Sequence, residues 1–291
     1  MKISYGPLIL HLPEGHPLPQ YQQLYPFYDR LLPILVRRLS SAWQSPVLID
    51  IGANIGDTTI QCCAVNDNLS VLAVEPNADF AKMLWKNIEA NDLYRAVVVS
   101  TDIVARTSSA YLAKKSGSLF TGDVIEADPK ASAQSRFSKT IYEIIAEINI
   151  EPSNIVFVKS DTDGNDAQIV ESFCDCLERC SSFKPLGLWF EAQPYANDLG
   201  VNDPSLYSNL DLLKQSLERL VHNGYKYFAA IDNYGVPIMQ GVDHMIINSL
   251  MQYSVLSRTK GQTLPFYFVD IVSYRNLSDM PDLPTLLSKE L

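Results

Sequence analysis

Apolar runs without alternating polar residues cannot rest one face in water, and this chain sets several of them between helical patterns. VLIDI at 47–51, LSVLAVEP at 69–76, AVVVSTDIV at 96–104, NIVFVKSD at 154–161 and PLGLWFEA at 185–192 each read as a strand buried on both sides. Between them lie DTTIQCCAV, the amphipathic NADFAKMLWKNIEAN, TIYEIIAEIN and a helix beginning near Asp166. Strands alternating with helices predict an α/β fold with a mostly parallel sheet covered on both faces. A helix over 205–223 stops at Gly224, YKYFAAIDNYGVPIMQ reads as strand, turn and strand, and PFYFVDIVSYR is a last strand. The segment 21–43, interrupted by Pro26 and Pro33, predicts one or two helices leading into the domain. Residues 105–138 lose periodicity and read as a long loop or insertion.

The 291 residues are long enough for one large domain with additions, and 47% hydrophobic against 19% charged residues is the mix of a folded globule. A formal net charge of -10 disfavours nucleic acid and anionic membranes, which ask for clustered Lys and Arg. Small neutral or weakly charged partners fit better. No apolar stretch is long enough to span a bilayer, and Pro7, Pro13 and Glu14 interrupt the start before a signal-peptide core forms, so a cytoplasmic location is expected. Five cysteines, with Cys62 and Cys63 adjacent, predict reduced thiols rather than a disulfide framework. Cys174, Cys176 and Cys180 lack a second Cys or His pair at zinc spacing and are expected to be inert.

In an open parallel sheet, ligands sit outside the carboxyl ends of the strands, and the first strand-to-helix turn is the expected cradle. Here it reads Asp50, Gly52, Asn54, Gly56, Asp57, Thr58. The glycines permit a sharp turn and close approach to a ligand. The spacing G-x-x-x-G is neither the dinucleotide pattern nor a phosphate loop, and two acids in the turn repel a diphosphate but suit a cationic sulfonium with an amino-acid tail. The second strand ends in Glu75-Pro76-Asn77, from which a carboxylate can hold two ribose hydroxyls. Together these describe an S-adenosylmethionine site. A bland alternative makes Asp57 and Thr58 a helix cap and Glu75 a solvated strand end.

LIDIGANIGDTT, VLAVEPNADFAKMLWKNIEAN, VFVKSDTDGNDAQIVES, LGLWFEA and NGYKYFAAIDNYG, over roughly residues 45–240, resemble successive motifs of the FkbM family of class I S-adenosylmethionine-dependent methyltransferases. The resemblance implies a Rossmann-like, seven-stranded, mostly parallel sheet with the last strand antiparallel, and O-methylation of a sugar or natural-product hydroxyl. It places Asp50, Gly52, Asn54 and Gly56 at the methionine end of the cofactor and Glu75 at the ribose. Asn77 belongs with Glu75, and Thr101 and Asp102 lie toward the adenine.

An alcohol becomes a good methyl acceptor as its proton leaves, which calls for a base or a metal ion. KSDTDGND and WFEAQP deliver Asp161, Asp163 and Glu191 to the same sheet edge. A carboxylate base is favoured there over bound Mg²⁺ or Ca²⁺. Lys159 offsets part of this acidity, and Asp163-Gly164 with Asn165 or Asp166 also fits a turn and helix cap. His244, after the predicted hairpin, is a further candidate base, whereas His222 in a last helical turn reads as structural. Tyr21, Tyr25, Phe27 and Tyr28 form a stripe that reads first as packing and second as a lid.

The expected layout is an N-terminal helical cap over 1–45, a methyltransferase domain over 46–275 with the insertion near 105–138, and a tail over 276–291. N- or carboxyl-methylation, a non-catalytic cofactor-binding scaffold and aminopropyl transfer are the alternatives. The apolar strand PFYFVDIV offers an edge for a homodimer.

Overall fold

Strands apolar on both faces need cover on both sides, and the chain provides it by winding helices alternately in front of and behind one sheet. The computed structural model describes residues 1–103, 138–162, 164–193, 205–262, 264, 266 and 268–289, with backbone alone for 205–209. The N-terminal part comprises β1 (Lys2–Tyr5), β2 (Leu8–His11), α1 (Leu18–Leu24) and α2 (Leu31–Ser40). Then come β3 (Val47–Ile51), α3 (Asp57–Val65), β4 (Ser70–Val74), α4 (Ala78–Ala90) and β5 (Ala96–Val99). The two-residue strands β6 (Asp102–Ile103) and β7 (Ser138–Lys139) pair with each other. They precede α5 (Ile141–Ile148), β8 (Ile155–Ser160), α6 (Asp166–Arg179) and β9 (Gly187–Ala192). The chain ends with α7 (Ser205–His222), β10 (Tyr227–Asp232), β11 (Pro237–Val242), α8 (His244–Thr259), β12 (Val269–Tyr274) and α9 (Leu283–Lys289).

The main sheet has eight strands in the order β11-β10-β12-β9-β8-β3-β4-β5. The strands from β5 to β9 are parallel, and β12 is inserted antiparallel between β9 and β10. This is the Rossmann-like arrangement of the class I methyltransferase fold, with the inverted last strand in place. The eighth strand, β11, is an antiparallel edge addition to the expected seven. Because the chain runs outward through β3, β4 and β5 and then returns to β8, the strand order reverses between β3 and β8. The crevice at their carboxyl ends is where such a sheet binds ligands.

Alternation along each strand divides the core. Val47, Ile49 and Ile51 face a cluster built with Ile144, Phe173, Leu217 and Ile247, while Leu48, Phe157 and Trp189 face one built with Leu35, Leu84 and Leu283. All five cysteines are free thiols, and Cys174 and Cys176 are buried. Among the described residues, no helix is long and apolar enough to cross a membrane.

Two findings depart from the sequence reading. The first 45 residues begin with a β-hairpin as well as helices, because β1 and β2 have a docking partner in α4. PFYFVDIV supplies β12, which lies inside the sheet between two strands, so it has no open edge to offer a second copy. His222 does end α7 on the surface, and Gly224, at φ +93°, stops that helix as expected. The insertion expected near 105–138 falls, apart from Ser138, outside the described residues.

Candidate functional site

The turn after β3 owes its shape to three departures from ordinary backbone at alternate positions. Gly52 (φ +72°), Asn54 (φ +48°) and Gly56 (φ +94°) all lie in the left-handed region, where glycine is unstrained and asparagine is tolerated. The amides of Gly52 and Ala53 donate to the Val74 carbonyl at 2.9 and 3.1 Å, tying the turn to the end of β4. A Cβ on Gly52 would lie 1.8 Å from the carbonyl oxygen of Asp161, and one on Gly56 would lie 2.5 Å from Leu84 Cδ1. The glycines are therefore fixed by close approach as well as by dihedral angle.

Glu75 clamps the same turn from β4. Its buried carboxylate accepts from the Asn54 amide at 2.8 Å and from the Asn77 amide at 2.7 Å. Each carboxylate oxygen can accept two hydrogen bonds, so holding the loop and receiving a ligand hydroxyl are compatible. The Asn77 side-chain oxygen accepts from the amides of Asp79 and Phe80 and caps α4. Asp50 is fully buried, accepts from the Thr59 hydroxyl at 2.7 Å and pairs with Lys159 at 3.1 Å. Asp57 and Thr58 open α3, half-buried beside it. Thr101 and Asp102 follow β5 at the same edge, where the Thr101 hydroxyl donates to the Asp102 carbonyl at 3.5 Å.

The half of the edge formed by β8, β9 and β12 is acidic. Asp161, whose side chain is 54% exposed, lies 3.6 Å from Lys159 Nζ. Glu191 is buried on β9, paired in register with Asp270 on β12. Asp163 lies outside the described residues. The sequence reading missed Asp29 and Asp270. Burial, reinforced by Asp57 and Asp161, holds the Asp29 carboxyl well above its usual range. Burial and Asp161 do the same to Asp270, against a hydrogen bond from Trp189. Asp57 is pushed up to about 6, mainly by burial. In hindsight FVDIV carries the same signal as VLIDI, an aspartate inside an apolar strand. Among the described residues, no three His, Cys, Asp or Glu side chains come together at metal-binding spacing.

His244 does not join them. β11 runs antiparallel to β10 and starts at the site edge, so it carries the chain toward the amino ends of the parallel strands before α8 begins. Val242 pairs with Phe228, four residues below Asp232, which puts His244 roughly 13 Å or more from the site edge at ~3.3 Å per residue.

The aromatic stripe packs, and what it packs is the rim of this crevice. Tyr21 and Tyr28 are 5.4 Å apart between ring centroids, and Tyr25 lies 4.2 Å from Tyr234 in the β10–β11 turn. A Cβ on Gly235 would lie 2.2 Å from the Phe27 carbonyl oxygen, so the segment sits directly on that turn. Asp29, burial and the acids Asp161, Asp57 and Asp270 keep the Tyr28 hydroxyl firmly protonated.

Asp166 organises the loop after β8. It accepts from the Ser160 hydroxyl at 2.6 Å, the Thr162 hydroxyl at 3.0 Å and the Thr162 amide at 3.3 Å. Burial nonetheless pushes it up to about 6. A folded-state value raised above the unfolded one means a cost absent below about pH 4 and complete above about pH 6. Asp166→Asn should therefore gain on the wild type as pH rises from 4 to 7, by about 2–3 kcal/mol at most. Denaturant unfolding of both proteins across that window measures it, and a flat difference would contradict the assignment.

No protein-family model matches the chain, and no curated protein matches its sequence. The backbone is similar to solved methyltransferase structures at low identity. One is an O-methyltransferase from Bacillus cereus in complex with SAH, 13% identical, with 90% of this chain and 92% of that one covered at a TM-score of 0.42. Another is a geranyl diphosphate methyltransferase in complex with SAM, 11% identical, with 91% and 92% covered at a TM-score of 0.45. Superpositions this loose say nothing of ligand or reaction, and the strand order stands without them.

Proposed function

We propose that this chain is an S-adenosylmethionine-dependent methyltransferase that methylates a hydroxyl of a sugar or small metabolite, with residues 1–45 capping a catalytic domain over 46–275. The observation that carries the reading is the turn at the switch point between β3 and β8, closed by Glu75. Its residues suit the donor. The buried side-chain oxygen of Asn54 has no hydrogen-bond partner among the described residues, an acceptor that an amino-acid ammonium satisfies. Asp50 and Asp57 supply negative potential for a cation, and Glu75 stands where a ribose diol is held.

When bound, the donor supplies a methyl group already activated on a sulfonium. The protein's part is to position the acceptor and keep out water. Asp161 and Glu191 are the groups at this edge that accept the acceptor's proton or hold its hydroxyl. Asp29 and Asp270, whose carboxyls burial holds above their usual range, are further hydrogen-bonding groups for the acceptor beside these two. The finer reading within the FkbM family rests on the sequence motifs, and the hydroxyl acceptor rests on that resemblance.

Calorimetric titration with S-adenosylhomocysteine, with and without Mg²⁺, tests the proposal. Binding independent of Mg²⁺ is expected, and Glu75→Gln should weaken it by about 30-fold through lost charged hydrogen bonds. A wild-type protein that does not bind under either condition would remove the reading.

A further inference from the structure

A lysine buried to 3% exposure beneath a ligand-binding edge needs a reason, because a buried ion pair by itself adds little stability over an apolar pair. Lys159 is paired in register with Asp50 across β8 and β3, the two strands that flank the switch point. Its ammonium does more than meet that partner. Nζ lies 3.1 Å from Asp50 Oδ1, donates to the Gly52 carbonyl at 3.1 Å and lies 3.6 Å from Asp161 Oδ2. These three groups come from the strand below the donor turn, the turn itself and the loop after β8.

The two loops are already in contact. The Gly52 Cα faces the Asp161 carbonyl so closely that a methyl group would not fit, and the Asp161 amide donates to the Ile51 carbonyl at 3.1 Å. Lys159 lies under that contact and holds one polar group on each side of it. Burial opposes its charge, but Asp50, Asp161 and Asp57 keep the ammonium protonated. With three N–H donors and no acceptor, a lysine can hold a carboxylate, a carbonyl and a second carboxylate at once.

Resting on the methyl-donor reading above, we propose that Lys159 is a positioning residue that fixes the donor turn, through the Gly52 carbonyl, relative to the acceptor-side carboxylate Asp161. Neutralising Asp50 is then only part of its role. If neutralisation were all of it, replacing both partners by uncharged side chains would restore the site. If positioning matters, the same double replacement leaves the Gly52 carbonyl and Asp161 without their shared donor.

The test is the double variant Asp50→Asn/Lys159→Met, chosen because it leaves no lone buried charge. Amide hydrogen exchange is followed over 51–56 and 160–162, alongside titration with S-adenosylhomocysteine. We expect a folded protein by circular dichroism in which the Gly52, Ala53, Asn54 and Asp161 amides exchange about tenfold or more faster than in the wild type, with β9 and β12 unchanged. Wild-type exchange in the double variant would overturn the inference, leaving Lys159 a neutralising partner only. A double variant that does not fold would overturn it too, since the lysine would then support the whole sheet rather than the alignment of two loops. A wild type that fails to bind removes the methyl-donor reading, while the exchange result still decides what Lys159 does.

Discussion

Gly52→Ala should abolish binding of S-adenosylhomocysteine, weakening it by about 100-fold or more, whereas Gly224→Ala should leave it unchanged. Both glycines have positive φ, +72° and +93°. Each substitution therefore incurs the strain of a left-handed residue, about 1 kcal/mol. They differ in what a methyl group would meet. At Gly224 there is nothing within 4 Å, and at Gly52 the new carbon would stand 1.8 Å from the Asp161 carbonyl oxygen. A backbone oxygen cannot rotate aside as a side chain can, so one of the two loops has to move.

Its movement disturbs several bonds together. The Gly52 and Ala53 amides leave Val74, the Asn54 amide leaves Glu75, and the Gly52 carbonyl leaves Lys159. Thermal melts should show Gly224→Ala lowered by about 2–4 °C, as about 1 kcal/mol implies for a domain of this size, with the Gly52 variant lower still. Gly52→Ala binding within threefold of wild type would mean that this turn does not hold the ligand.

The shape of the turn was legible from residues alone. Gly52, Asn54 and Gly56 are the residue types that tolerate positive φ, so sequence and conformation are linked directly there. Continuous apolar runs likewise identified the parallel strands, because burial on both faces leaves no polar alternation. What escaped depends on contacts between segments far apart in the chain. MKISYGPLILHL lacks the strength of pattern to reveal a hairpin whose partner is a helix some 80 residues later. Asp29 and Asp270 gain importance only where the aromatic segment and the inverted strand bring them toward Asp161, after β8. His244 was misplaced because the reversal of direction at β11 was not followed through to the opposite edge.

That unseen hairpin contact leads to the second large effect. Asn87→Ala should destabilise the protein by about 3–5 kcal/mol, and Asn91→Ala by about 1–2 kcal/mol. Asn87 lies in the last turn of α4 and Asn91 caps its carboxyl end four residues on, about 6 Å along the helix axis. Ile9 and His11, two apart on β2, are separated by about the same distance along the strand. The side chains can therefore stand in for a neighbouring strand. Asn91 accepts from the Ile9 amide at 2.6 Å and donates to its carbonyl at 2.7 Å. Asn87 accepts from the His11 amide at 2.8 Å and donates to its carbonyl at 3.1 Å.

Asn87 is fully buried and also donates to the Ile55 carbonyl at 2.9 Å, so its truncation strands three backbone groups. Water can replace much of what half-buried Asn91 provides, hence the smaller figure. Because Ile55 belongs to the turn after β3, which the proposal makes the donor site, Asn87→Ala should weaken S-adenosylhomocysteine binding as well, and Asn91→Ala should not. Denaturant unfolding gives the stabilities, and limited proteolysis of the first 15 residues shows whether the hairpin has come loose. A loss below about 1 kcal/mol for Asn87→Ala would mean that the hairpin is held by its apolar contacts, Tyr5 and Leu10 against Ile60, rather than by the asparagine ladder.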